Sequence, residues 1–211
     1  MSAPLEARAE VWLAPWPNAQ HLLRARDWLL VLEPRAPLAL RLAALTHDAE
    51  RNFPGSPRQL PERPAADRAY RDAHQARSAE VVDAWLADQG AGLALRRSVT
   101  AVVGVHEWGG WPEADLLQAA DSISFLEVNA DQAARWRHDH GQSAARIAEQ
   151  FDWMYTRITV ERARDLARPL HEHAREMLAG AQTRASPATS PAGSSRKSGS
   201  SRSASSAPAG E

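Results

Sequence analysis

The 211-residue sequence contains no cysteine. Disulfides and thiolate metal sites are therefore excluded, and any metal would have to be held by histidine, aspartate, glutamate or water. No apolar run approaches the ~20 residues needed to cross a bilayer. Lysine is nearly absent: Lys197 stands alone, and the other 24 basic residues are arginine. Excess charge is lacking too, with a net of −1, so a strong nucleic-acid footprint is not expected. The stretch Met1 to Glu10 carries two acids and no apolar segment of the kind a signal peptide needs, so a cytoplasmic protein is expected.

What is present is a globular composition, 44% apolar, in a chain long enough to bury a sizeable core. The charge divides unevenly. Residues 1–180 carry a net of −4 and residues 181–211 a net of +3. The latter are mostly Ser, Ala, Pro and Gly, which cannot bury enough apolar surface to offset the entropy of ordering them. One helical domain over 1–180 and a disordered basic tail over 181–211 are the expectation.

The pattern of the first 180 residues is helical throughout. Residues 1–17 read as extended, with Pro15 and Pro17 near Trp12 and Trp16. Asn18 can cap a helix that runs to about Glu33 and stops at Pro34. A second helix is predicted from Pro37 to Glu50, where Leu38, Leu42, Leu45 and Ala49 recur at spacings of 4, 3 and 4. The proline-rich stretch from Asn52 to Pro64 reads as a loop, either a lid or a plain surface connection. A long helix follows from Ala65 to Asp88, ended by Gly90. Leu93 to Val105 is rich in valine, so a strand competes there; helix is preferred because every neighbour is helical. Another helix starts at Pro112 and runs to Asn129. Ile147, Phe151, Met154 and Ile158 then mark closing helices between Ser143 and Leu178, with a break near Thr159.

Against this background one dipeptide stands out. His47-Asp48 ends an apolar helix and offers a neutral nitrogen and an anionic oxygen, half of a site for a divalent transition metal. Other ligand types lie on or at the ends of other helices: His21, His74, His106-Glu107 and Asp121. Taken singly, His21 reads as a surface residue and His74 as a satisfied core group. Asp121 is the sharpest anomaly, because it lies among Leu117, Ala120, Phe125 and Leu126. An unpaired carboxylate there would cost several kcal/mol, so it needs a metal, an arginine or hydrogen bonds. His138, His140, His171 and His173 read as solvent-exposed.

The order His21, His47-Asp48, His74, His106-Glu107, Asp121 resembles the HD superfamily of metal-dependent phosphohydrolases. The likeness spans about residues 15–130 and implies an all-α, HD-domain-like helical bundle. By that resemblance His21, His47, Asp48 and Asp121 match the four basic metal ligands, and His74 and His106 the extra histidines of two-metal members. Arg51 matches a phosphate-facing lysine of the HD-GYP members. His106-Glu107-Trp108-Gly109-Gly110-Trp111-Pro112 is similar to their His-His-Glu…Gly-Tyr-Pro motif. Here Val105 stands for the first His and Trp111 for the Tyr, which leaves one ligand fewer.

The chemistry that follows is hydrolysis of a small phosphate ester, a nucleotide above all, by water activated on one or two ions of Mn, Fe, Co, Ni or Zn. Asp48 would ligate and orient that water. Glu107 would be a general acid or an outer partner of His106. Arg51, with Arg77, would hold the phosphate. Two further readings share the sequence: an HD-fold di-iron oxygenase, and a catalytically inactive helical regulatory or binding domain. Residue patterns give neither the substrate nor the oligomeric state.

Overall fold

The structure is a computed structural model and describes residues 3–60, 63–132 and 142–185. Every regular element among them is helical: α1 (Leu5–Leu13), α2 (Ala19–Leu32), α3 (Leu38–Thr46), α4 (Arg68–Asp88), α5 (Leu93–Val103), α6 (Pro112–Asn129), α7 (Ala144–Thr156) and α8 (Glu161–Ala185), with short 3-10 turns at Ala49–Asn52 and Ala130–Gln132. This is the all-α helical bundle expected from the pattern. None of these helices is long and apolar enough to cross a membrane.

The bundle is organised around α6, which packs on α2, α3, α5, α7 and α8. Its sequence permits this. Ala119, Ala120, Ser122 and Ser124 are small and buried, so neighbouring backbones approach closely, and a helix buried on all sides must carry few charges. One side of α6, Leu117 and Ala120, closes a core built from α1 to α5. The other side, Ala119, Ile123 and Leu126, meets Ile147, Phe151 and Met154 of α7 and Ala163, Ala167 and Ala174 of α8. Asp121 lies between these two cores.

Three expectations change. The N-terminal segment is not extended: Leu5–Leu13 is a helix after Pro4, with Ala9 and Leu13 buried. Pro15 and Pro17 govern only the turn that follows. Glu6 and Glu10 are tied to Arg26 of α2 at 3.1 and 2.8 Å, which docks this helix. The second helix ends at Thr46 rather than Glu50, because the backbone leaves helical geometry at Asp48 (φ −102°, ψ 21°). The last helix continues to Ala185, past the expected start of the tail. His138, His140 and residues 186–211 lie outside the described residues. The valine-rich segment is helical as expected, and the break near Thr159 falls between α7 and α8.

Two turns matter for the site. Gly90 (φ 73°) closes α4, with Ala91 N–H bonded to Leu86 C=O at 3.0 Å. After His106 the chain reverses at Gly109 (φ 69°), where a Cβ would sit 2.2 Å from Asp115 Oδ1. Only glycine fits there, and the Asp115 carboxylate accepts from the Gly110 N–H at 2.8 Å to fix the turn.

Candidate metal centre

Six side chains from five helices and their ends converge: His21 on α2, His47 and Asp48 at the end of α3, His74 on α4, His106 just beyond α5, and Asp121 on α6. They form two buried groups, His21–His47–Asp121 and Asp48–His74–His106, each with its ligand atoms within 4.8 Å of one another. The four imidazoles form a row. Ring centroids are 5.3 Å apart for His21–His47, 5.1 Å for His47–His106 and 5.1 Å for His74–His106.

All four rings present Nε2 inward because Nδ1 is engaged elsewhere. His47 Nδ1 meets Ala44 C=O at 3.0 Å and His106 Nδ1 meets Val103 C=O at 2.8 Å, each the carbonyl three residues earlier. His21 Nδ1 lies 2.9 Å from Ser124 Oγ, whose hydroxyl donates to the His21 carbonyl at 2.7 Å. His74 Nδ1 lies 2.6 Å from Glu50 Oε1. Such contacts fix the tautomer and turn the lone pair of Nε2 toward the centre.

The inward atoms crowd two carboxylate oxygens. Asp121 Oδ1 is 3.1 Å from His21 Nε2 and 3.3 Å from His47 Nε2. Asp48 Oδ1 is 2.8 Å from His74 Nε2, 3.7 Å from His106 Nε2 and 4.0 Å from His47 Nε2. The Nε2 atoms of His47 and His106 are buried with no hydrogen-bond partner. Burying an imidazole nitrogen without a partner is costly, and a divalent cation would satisfy both. The donor set, imidazole plus carboxylate with no sulfur, fits that ion.

The charges are arranged to match. Asp121 and Asp48 are both held well below the usual carboxylate range. Burial opposes ionisation, but Arg157 and His47 outweigh it at Asp121, and Arg51 and His74 at Asp48. Without an ion, the His47 imidazole is raised to about 9, because Asp121 and Asp48 overcome the effect of burial. Loading an ion therefore displaces protons from the centre.

Arginines complete the wall. Arg157, at the end of α7, donates to Asp121 Oδ2 and Glu107 Oε2, and to Ser122 Oγ at 2.8 Å. Arg71 of α4 donates to Glu107 Oε1 at 2.6 Å. Arg51 donates to Asp48 Oδ2 at 2.7 Å and to the Tyr70 hydroxyl at 3.1 Å.

Two sequence-based assignments change here. Glu107 is not the outer partner of His106, which bonds to Val103, and it is poorly suited to be a proton donor. Burial disfavours its charge, yet Arg157 and Arg71 pull its carboxyl down to about 2. Arg77 is not brought to the centre: it is half-exposed, bonds to Glu80 at 3.0 Å and does not line the cavity. Arg51 does line it, with His21, Asp48, Glu107 and Asp121. The surface reading of His171 is modified, since its Nε2 meets Asp152 Oδ1 at 2.8 Å and its ring stacks on Tyr155.

Glu50, Ser124, Arg71 and Arg157 escaped the sequence reading. Arg71 could have been found, since it precedes His74 by three residues on the same face of α4. Glu50 lacks such a signal, because its burial depends on the 3-10 turn after Asp48. Its replacement by glutamine is expected to weaken ion binding by roughly 10- to 100-fold, since His74 loses a charged acceptor. Competition with a chromophoric chelator measures this, and unchanged affinity would remove Glu50 from the centre.

The centre opens into a cavity of about 530 Å³, a size suited to a small molecule. Beyond the ligand groups its wall carries Asn18, Gln20, Asn129 and Gln150 beside Phe125, Val128 and Met154.

No family model matches the chain, and no curated protein matches it. Among solved structures, the crystal structure of Bacillus subtilis YpgQ in complex with ADP is similar in fold. The TM-score is 0.59 at 16% sequence identity, over 87% of this chain and 98% of that one.

Proposed function

We propose that this protein is a metal-dependent phosphohydrolase acting on a small phosphate ester, with a nucleotide as the favoured substrate class. The observation that carries the reading is the set of four inward Nε2 atoms facing Asp48 and Asp121, two of them buried and without a hydrogen-bond partner among the described residues. YpgQ, similar in fold, was crystallised with ADP, which supports a nucleotide as the ligand class.

A divalent ion bound there supplies a water of lowered pKa and neutralises charge growing on a phosphoryl oxygen. The chain's own residues do the rest. Asp48 stays ionised and faces both ligand groups, so it can orient the attacking water by accepting its hydrogen bond. Arg51, half-exposed at the cavity wall, offers charge-assisted donors to the phosphate. Arg157 and Arg71 hold Glu107 and Asp121 in place. The amide and apolar side chains of the outer wall are suited to a polar, planar group.

The test is phosphate release from nucleoside mono-, di- and triphosphates and p-nitrophenyl phosphate by protein loaded with Mn, Co or Zn. Turnover that a chelator abolishes and the ion restores is the expected result. Failure to hydrolyse any ester with any of these ions counts against it.

A further inference from the structure

Tyr70 lies on α4 one turn before His74, so the two side chains share a face of the helix. Their rings are nearly parallel, 7° apart in plane and 5.9 Å between centroids. The Arg71 guanidinium lies 6.0 Å from the same phenol ring. Tyr70 is half-buried in this setting and lines the cavity beside Arg51 and Asp48.

Arg51 places the hydroxyl. It donates through Nε to Asp48 Oδ2 at 2.7 Å and through Nη1 to the Tyr70 oxygen at 3.1 Å, while its Nη2 lies 3.4 Å from His74 Nε2. One guanidinium thus joins the phenol to two members of a ligand group. Because the Tyr70 oxygen accepts from Arg51, its own O–H points in another direction, and among the described residues it meets no acceptor. Arg51 Nη1 carries a second N–H as well. An anion oxygen accepting there lies about 5 Å from the Tyr70 hydroxyl at ordinary hydrogen-bond lengths, close enough for another oxygen of the same phosphate to accept from Tyr70.

We propose that Tyr70 is a substrate-binding residue whose O–H donates to a phosphate oxygen beside Arg51. The inference rests on the phosphohydrolase reading for placing the phosphate at Arg51. The phenol stays neutral and transfers no proton. Its bond to a charged oxygen is stronger than one between neutral groups. A phenol that only steadied Arg51 would lose its effect once Arg51 is removed, and this separates the two roles.

The experiment titrates inorganic phosphate into the Mn-loaded full chain as wild type, Tyr70→Phe, Arg51→Met and the double variant. Phosphorus-31 relaxation, which paramagnetic Mn enhances, reports weak binding in the variants too. Tyr70→Phe keeps the ring against His74, so its Mn affinity, read by chelator competition, is expected to stay within about twofold of wild type. Its phosphate Kd is expected to rise about tenfold or more. A similar loss should recur when Tyr70→Phe is added to Arg51→Met. No phosphate binding in Arg51→Met, or no further loss in the double variant, would overturn the proposal, since Tyr70 would then act through Arg51 alone. So would unchanged phosphate affinity or weakened Mn binding in Tyr70→Phe, or a wild type that binds no phosphate. The two readings fail separately: a chain that binds phosphate through Tyr70 but cleaves no ester defeats the phosphohydrolase assignment and leaves this contact standing.

Discussion

Asp48→Ala is expected to lose the bound ion and to reduce hydrolysis by about 10³-fold or more, on the order of 4 kcal/mol of transition-state stabilisation. The size follows from position. Asp48 Oδ1 faces His74 and His106 in one group and approaches His47 of the other, and Asp48 Oδ2 anchors Arg51. On the proposed reading, one truncation therefore removes a metal ligand, the carboxylate that orients the water and the support of Arg51. It also removes the carboxylate oxygen that the Nε2 atoms of His74 and His106 face in that half of the centre. Circular dichroism should show an intact helical fold, because Asp48 contributes nothing to either hydrophobic core. An Asp48→Ala protein that keeps its ion and its activity within about threefold would defeat the centre as described.

Arg157→Ala is expected to be the most destabilising single change at the site, by roughly 3–5 kcal/mol. Arg157 is buried, and its guanidinium is shared between Asp121 and Glu107, which are buried too. Truncation leaves Asp121 and Glu107 without that cation, and Arg71 remains for Glu107 alone. In a domain of this size the loss corresponds to a melting-temperature drop on the order of 10 °C. The deficit should be larger in the metal-free protein than in the loaded one, since an ion compensates Asp121. Arg157→Lys should recover a part, lacking the planar fork that serves two carboxylates. Thermal unfolding with and without the ion measures both points; equal deficits in the two states would mean that Arg157 and the ion do not share Asp121.

Much of the architecture was legible in the sequence because the helix signals are local. Pro34, Gly90 and Pro112 punctuate the chain where helices stop and start, and the leucine spacing of residues 38–45 records a buried face. The N-terminal helix was misread because two prolines after it outweighed a segment with good helix formers, and because its docking through Arg26 is a tertiary contact. The six ligand-type residues could be named from their order along the chain and the resemblance that order carries, since singly His21 reads as a surface group and His74 as a core one. Asp121 shows the limit. Its burial was readable, and arginine and metal stood as competing explanations; the fold brings Arg157 to Oδ2 and two imidazoles to Oδ1, so both partners fit one carboxylate.

The rest was not legible because it depends on which helix faces meet. Glu107 looked like a free acid beside a histidine, but α4 and α7 bring Arg71 and Arg157 to it from 36 residues before and 50 residues after. Arg77 shares α4 with Arg71, yet its turn places it toward Glu80 and solvent. A helix periodicity assigns residues to faces, not faces to cavities.

The central claim is that His21, His47, Asp48, His74, His106 and Asp121 hold a divalent ion, and metal analysis of the purified protein beside its His47→Ala and Asp121→Ala variants tests it most directly. The expected result is about one or two transition-metal ions per chain in the wild type, or after loading it, and loss of ions in both variants. A wild type that carries no ion and cannot be loaded with Mn, Fe, Co, Ni or Zn would contradict it, leaving Asp121 as a structural carboxylate paired with Arg157.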